Sequence, residues 1–172
     1  HLAGLESRDQ AKTFIYALLY GAGDEKLGSV ASAGRAAGKT LRERFMSNLT
    51  AYADLKDRIV RESEQGTIEG LDGRLLHIRS AHSALNTLLQ SAGAIVMKKA
   101  MCLLEEYATM WKLDYYFVGN IHDEVQAEVR SDHADKYGRL AVSCLEAAGT
   151  ELGLNCKLTG EYQVGSSWAD TH

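Results

Sequence analysis

Residues 115–129 read Tyr115-Tyr116-Phe117-Val118-Gly119-Asn120-Ile121-His122-Asp123-Glu124-Val125-Gln126-Ala127-Glu128-Val129. Two runs rich in aromatic and β-branched residues meet at a pair of adjacent acids. This predicts an antiparallel hairpin with Asp123 and Glu124 at or near its bend. Carboxylates held there have the chemistry to take a hard divalent cation such as Mg²⁺, which is usually held by one or two protein carboxylates together with substrate phosphates. Acids at hairpin bends are also commonly just solvated, and these fifteen residues do not separate the two readings.

Outward from the hairpin the pattern is mostly helical. Upstream, the sequence predicts a helix from about Ser7 to Tyr20, with Ser7 as N-cap and Gly21-Ala22-Gly23 ending it. Further helices are expected over 24–32, 35–48 and 50–64, the last closed by Gln65-Gly66. Thr67 to Arg79 predicts a small hairpin turning at Leu71-Asp72-Gly73, since Asp-Gly is a strong turn signal. His82 to about Lys112 predicts a long, mostly apolar helix. Downstream of the acids come a helix over 132–152 and a last strand over 156–164. Helices lead and strands come late, which gives an α+β fold with a helical lobe on an antiparallel sheet.

Composition agrees with this order. Across 172 residues, 45% are apolar, 24% are charged and none is proline, which suits long helices in one core or two small lobes. Cys102, Cys144 and Cys156 are odd in number and widely spaced, so reduced thiols are expected rather than a metal or redox cluster. Uninterrupted apolar runs are only a few residues long, and neither a membrane span nor a signal peptide is expected. The net charge of −4 is unevenly spread: residues 7–102 carry 14 Lys+Arg against 10 Asp+Glu, and residues 103–172 carry 5 against 12. A basic half suits phosphates and an acidic half suits metal, although charge alone does not point to DNA.

Three polar patterns carry possible chemistry. Arg8, Lys12, Tyr16 and Tyr20 are spaced four apart, which advances about 400° per step and makes one gently drifting stripe. Two cations followed by two aromatics suit a nucleoside triphosphate, with cations at the phosphates and rings by sugar and base. An ordinary amphipathic helix with snorkelling Arg8 and Lys12 has the same spacing. His82, Asn86 and Gln90 form a second stripe on the long apolar helix. They either bond internally or donate into the minor groove of a duplex, where the nearly degenerate acceptor pattern tests base-pair shape rather than sequence. Finally, Gly34-Arg35-Ala36-Ala37-Gly38-Lys39-Thr40 nearly spells a P-loop. Only three residues separate its glycines, and Ser29-Val30-Ala31-Ser32-Ala33 makes a poor preceding strand, so an ATPase is not expected.

Arg8-x3-Lys12-x3-Tyr16-x3-Tyr20-Gly21 resembles the nucleotide-binding fingers helix of family A DNA polymerases, and His122-Asp123-Glu124 resembles that family's metal-binding palm motif, in the family's order. Ala22-Gly23-Asp24-Glu25-Lys26-Leu27-Gly28 is similar to phage replicative polymerases of the T-seven type. So is the run from Gly70-Leu71-Asp72-Gly73-Arg74 through His77, Arg79 and His82 to Gly93-Ala94.

The resemblance implies a helical fingers segment over 1–66 and a carboxy-terminal palm segment over 67–172. It implies that Arg8 and Lys12 contact the incoming dNTP, that Tyr16 sits at the sugar 3′ position and that Tyr20 packs beneath the templating pair. Arg79, His82, Asn86 and Gln90 would contact primer–template DNA. Asp123 would bind both catalytic Mg²⁺ ions, Glu124 would be an auxiliary acid, and His122 would lie near the primer terminus, with His172 approaching the same site. The family's second catalytic aspartate lies on a palm strand upstream of the fingers helix. This chain begins seven residues before Arg8, and His1 aligns too close to serve as the family's upstream fingers histidine. An amino-terminal polymerase segment, covalent or separate, is therefore expected as partner, with no membrane involved and action in the cytoplasm of a bacterial host. The rival from another class is a non-catalytic nucleic-acid-binding module derived from such an enzyme.

Overall fold

Ser7 begins the first helix: its hydroxyl accepts the Gln10 N–H at 3.1 Å, capping α1 (Arg8–Leu19). A Schellman turn ends α1, with Gly21 N–H on the Leu18 carbonyl at 3.0 Å and Ala22 N–H on the Ala17 carbonyl at 2.8 Å. Gly21 has a φ of 78°, and a Cβ there would meet the His82 ring at 2.7 Å. Glycine is therefore required twice over, by conformation and by space. In this computed structural model the described residues are 5 and 7–171. They fall into two compact units, His1–Gln90 and Ser91–His172.

The first unit continues with α2 (Asp24–Val30), α3 (Arg35–Asn48) and α4 (Thr50–Glu62), followed by a 3₁₀ turn, Ser63–Gln65. Phe14, Leu18, Leu27 and Phe45 form its first core cluster. The Phe14 and Phe45 rings meet edge-on at 5.7 Å, a favoured aromatic geometry. Strands β1 (Thr67–Glu69) and β2 (Leu75–His77) pair antiparallel with Ile68 opposite Leu76. Ile68 joins Ile59 and Ala84 in a second buried cluster. The hairpin thus belongs structurally with the helices before it, so the division into units does not coincide with the functional division expected after residue 66.

Helix α5 (Ala84–Met110) starts later than expected. His82 lies in a 3₁₀ turn, Ala81–Ser83, where the Ser83 N–H bonds the Ser80 carbonyl at 3.0 Å. By length and composition, Ala81–Met110 is apolar enough to cross a bilayer, with mean hydropathy 1.2 over its 18-residue window. That departs from the expectation drawn from short apolar runs. Its apolar residues serve packing here: Ala84 belongs to a core cluster of the first unit, and Ala100, Leu103, Leu104 and Ala108 belong to the core of the second.

In the second unit, β3 (Tyr115–Ile121) pairs antiparallel with β4 (Glu124–Val129), with a bulge between Phe117 and Gly119. A two-stranded ribbon is marginal alone. This one is supported by Leu113, Tyr137, Leu140, Cys144 and Ala148, against which Tyr115, Ala127 and Val129 pack. Helix α6 (Ala134–Glu151) supplies most of that wall. The strand expected over 156–164 does not form. The segment instead lies along α6: Cβ atoms at Gly149 and Gly138 would meet Leu158 at 2.9 Å and the Tyr162 ring at 2.2 Å. Its side chains are used against a helix, and among the described residues each of the two sheets has two strands.

Candidate nucleotide, duplex and metal sites

On α1 the buried residues are Phe14 and Leu18, while Arg8, Lys12, Tyr16 and Tyr20 are all exposed. Tyr16 and Tyr20 keep 50% and 54% of their surface. The helix therefore spends one face on the core and turns the other, carrying the entire cation-and-aromatic stripe, toward solvent. Aromatic rings left half exposed on a solvent face are candidates for contact with a ligand.

Two polar stripes separated by some 70 residues in sequence meet at the end of this helix. Gln90 donates from Nε2 to the Tyr20 hydroxyl at 2.9 Å, and the His82 ring packs over Gly21. Asn86 is half-buried between them in sequence, and Arg79 is exposed. His82, Asn86 and Gln90 do not form one continuous α-helical stripe, because His82 precedes α5. The 3₁₀ turn nevertheless carries His82 to the same end of α1 that Gln90 reaches. No signal in sequence spacing announced the Tyr20–Gln90 bond.

The near-P-loop has a structural explanation. Gly38 is buried where α3 crosses α2, and a Cβ there would fall 1.8 Å from the Asp24 carbonyl oxygen. A Cβ at Gly34 meets nothing within 4 Å. Lys39 lies exposed on α3 beside Glu43, at 3.8 Å. The glycine that looked like half of a phosphate loop is a helix-crossing point.

In the second unit, Ile121 pairs with Glu124, leaving His122 and Asp123 as a two-residue loop. His122 adopts a left-handed φ of 57°, which a two-residue hairpin turn requires at its first position and which His tolerates better than most residues. Asp123 is exposed at the tip. Glu124 opens β4 with its Oε1 already engaged, accepting from Gln126 Nε2 at 2.5 Å and from Trp168 Nε1 at 3.0 Å. Gln126 and Trp168 were not expected at this site, since neither titrates and no spacing ties Trp168 to the hairpin. His172 and His1 lie outside the described residues.

The donor chemistry at the tip fits Mg²⁺ in part. Asp123 and Glu124 match the one or two carboxylates such an ion takes from protein. Among the described residues no group of three or more His, Cys, Asp or Glu is placed to hold a metal.

A basic, solvent-facing helix stripe in one unit and an acid-tipped hairpin in the other are carried on an α+β set of elements. The sequence profile of DNA polymerase family A matches residues 3–170, and the chain belongs to that family. It is 42% identical over 178 residues to the DNA-directed DNA polymerase of Escherichia phage Phieco32, covering 99% of this chain and 29% of that protein. With the DNA-directed DNA polymerase of Escherichia phage T7 it shares 38% identity over 192 residues, covering 99% of this chain and 27% of the relative. Among solved structures, the POL domain of Pol1 from M. smegmatis, in complex with DNA primer-template and dNTP, superposes with a TM-score of 0.75 at 19% identity, over 82% of this chain and 27% of that one. That last likeness speaks for the fold. The chain thus spans under a third of the length of these polymerases.

Proposed function

We propose that this chain carries the nucleotide-binding helix, the duplex-contacting residues and part of the metal site of a DNA-directed DNA polymerase that extends a primer from dNTPs. The observation that carries the proposal is the α1 stripe. Arg8, Lys12, Tyr16 and Tyr20 are all turned to solvent opposite a closed apolar core, in a chain of family A.

Arg8 and Lys12 would hold the triphosphate by charge-assisted contacts, Arg8 as a planar fork and Lys12 as a point charge. Tyr16 would border the sugar and Tyr20 the templating pair. Arg79, His82, Asn86 and Gln90 would line the duplex contact, the last two as amide donors suited to minor-groove acceptors. Asp123 and Glu124 would hold Mg²⁺, with His122 near the primer end. Two Mg²⁺ ions, when bound, would supply activation of the primer 3′-hydroxyl and neutralisation of charge on the departing pyrophosphate.

A second aspartate would come from the amino-terminal polymerase segment. What supports that partner is the small share of each relative that this chain spans. The open outer face of the β3–β4 ribbon supports it too, with Tyr116 and Val118 left 71% and 65% exposed. A non-catalytic nucleic-acid-binding module derived from a polymerase is favoured by one observation, the lack of a complete ligand cluster among the described residues.

Two substitutions in the assembled polymerase separate these. Asp123→Ala should lower the single-turnover rate by orders of magnitude while primer–template binding survives, because a metal ligand acts most strongly as charge develops in the transition state. Gln90→Ala should instead weaken primer–template affinity and mismatch sensing, by roughly 1–3 kcal/mol for a buried contact. Near-normal turnover in Asp123→Ala would reduce the His-Asp-Glu stretch to a hairpin bend. Equal losses of melting temperature in both variants, with no split between rate and affinity, would mean a structural network only.

A further inference from the structure

Trp168 lies 44 residues downstream of Glu124, in a 3₁₀ turn, Trp168–Asp170, that follows an irregular stretch. Its indole N–H reaches the Glu124 Oε1 at 3.0 Å. The same oxygen accepts from Gln126 Nε2 at 2.5 Å, and the Gln126 Oε1 faces the Thr171 hydroxyl at 3.5 Å. Two donors from different parts of the chain therefore converge on one oxygen of the acid beside Asp123.

The turn that carries Trp168 is itself fastened. The Asp170 Oδ2 accepts from the Ser166 and Ser167 backbone N–H groups at 3.0 and 2.9 Å, and from their hydroxyls at 3.1 and 3.0 Å. Ser167 and Asp170 form a reciprocal capping box. Those bonds, the Ser167 hydroxyl first, hold the Asp170 carboxyl below its ordinary pKa. Trp168 stays half exposed, and its indole N–H is directed at Glu124 from this fastened turn.

We propose that Trp168, with Gln126, is a positioning residue for Glu124: the carboxy-terminal turn holds the Glu124 side chain in one orientation at the hairpin tip. The proposal rests on the functional reading of Glu124 given above. A Glu carboxylate on three rotatable bonds samples many orientations, and partners behind a ligand are what restrict it. With Oε1 tied from behind, Glu124 keeps a constant relation to Asp123 on the adjacent residue. Trp168 touches no reacting atom in this scheme and acts only through Glu124.

The test is a double-mutant cycle in the assembled polymerase, paired with a spectroscopic readout. Trp168→Phe keeps the aromatic area and removes the N–H. It should slow single-turnover incorporation about tenfold, the low end for loss of an outer-shell partner at a half-exposed site, with primer–template affinity unchanged. In a Glu124→Gln background the same Trp168→Phe change should cost less than about twofold, since coupled residues are non-additive. With ¹⁵N-labelled tryptophan, the Trp168 indole N–H resonance, assigned against Trp111→Phe, should shift on Glu124→Gln. Equal rate losses from Trp168→Phe in both backgrounds, or an indole resonance indifferent to Glu124→Gln, would overturn the positioning role. If Glu124→Gln itself leaves the rate unchanged while the indole resonance moves, the contact is real and the functional reading of Glu124 has failed, taking the positioning role with it.

Discussion

Tyr16 leaves α1 half exposed, and its hydroxyl makes no bond to another described residue. A free phenol beside a sugar can stand in for a missing 3′-hydroxyl, where a phenyl ring cannot. Tyr16→Phe in the assembled polymerase should therefore slow dideoxynucleotide incorporation at least about tenfold, the loss expected from one unmade hydrogen bond. Normal dNTP incorporation should be spared. Unchanged discrimination in single-turnover kinetics would remove Tyr16 from the sugar site. At this scale the sequence showed which residues share a face and was silent about how they are held. The stripe on α1 was legible because a 3.6-residue period maps spacing to a face. The Tyr20–Gln90 and Glu124–Trp168 bonds were not, since each joins residues that only chain folding brings together.

At the scale of elements, the α2–α3 crossing depends on Gly38 and Gly28, not on the charged residues around them. Cβ atoms at these two positions would fall 1.8 Å from the Asp24 carbonyl and 2.2 Å from the Gly34 carbonyl. Both obstacles are backbone and cannot swing aside, so Gly38→Ala should destabilise the first unit by roughly 1–3 kcal/mol, as overpacking does. Gly34→Ala, with open space around it, should change the melting temperature little. A phosphate loop would require both glycines and would lose nucleotide hydrolysis on Lys39→Ala. Comparing thermal melts of the three variants, with an ATPase assay on Lys39→Ala, distinguishes a packing contact from a phosphate cradle. Element ends were legible wherever a local cap fixed them: Ser7 at the start of α1, Gly21 at its end, Ala134–Glu151 within two residues of expectation. The exception is instructive. Residues 156–164 alternate like a strand, but a strand needs a partner edge, and Leu158 and Tyr162 pack on α6 instead.

For the whole molecule, exposed acids couple stability to pH. Arg74 hydrogen-bonds Asp72, Arg130 hydrogen-bonds Asp132, and the two serines bond Asp170, so these carboxyls titrate below the ordinary value of 3.8. A depressed folded pKa contributes stability that is complete above the unfolded value and disappears as pH falls through the folded one. The carboxy-terminal turn should therefore hold at neutral pH and come loose only below about pH 4, read as loss of the Trp168 indole shift. An earlier release, near pH 6, would mean that a histidine controls it. The chain taken alone should not extend a primer, because a partial set of acids cannot hold two metals in line. Robust Mg²⁺-dependent extension by highly purified chain would contradict this, and extension restored by adding the missing polymerase segment would support it.

The order of the elements up to α6 and the caps that bound them followed from the sequence, because periodicity, capping and turn chemistry act over a few neighbouring residues. Tertiary structure decided three things. Hairpin β1–β2 packs with the helices before it because Ile68 finds Ile59 and Ala84. The final apparent strand became a strap along α6, because backbone pairing depends on an available edge. Glu124 gained a tryptophan from the far end of the chain. Each is a contact between distant residues, and no local pattern encodes which distant surface a side chain will meet.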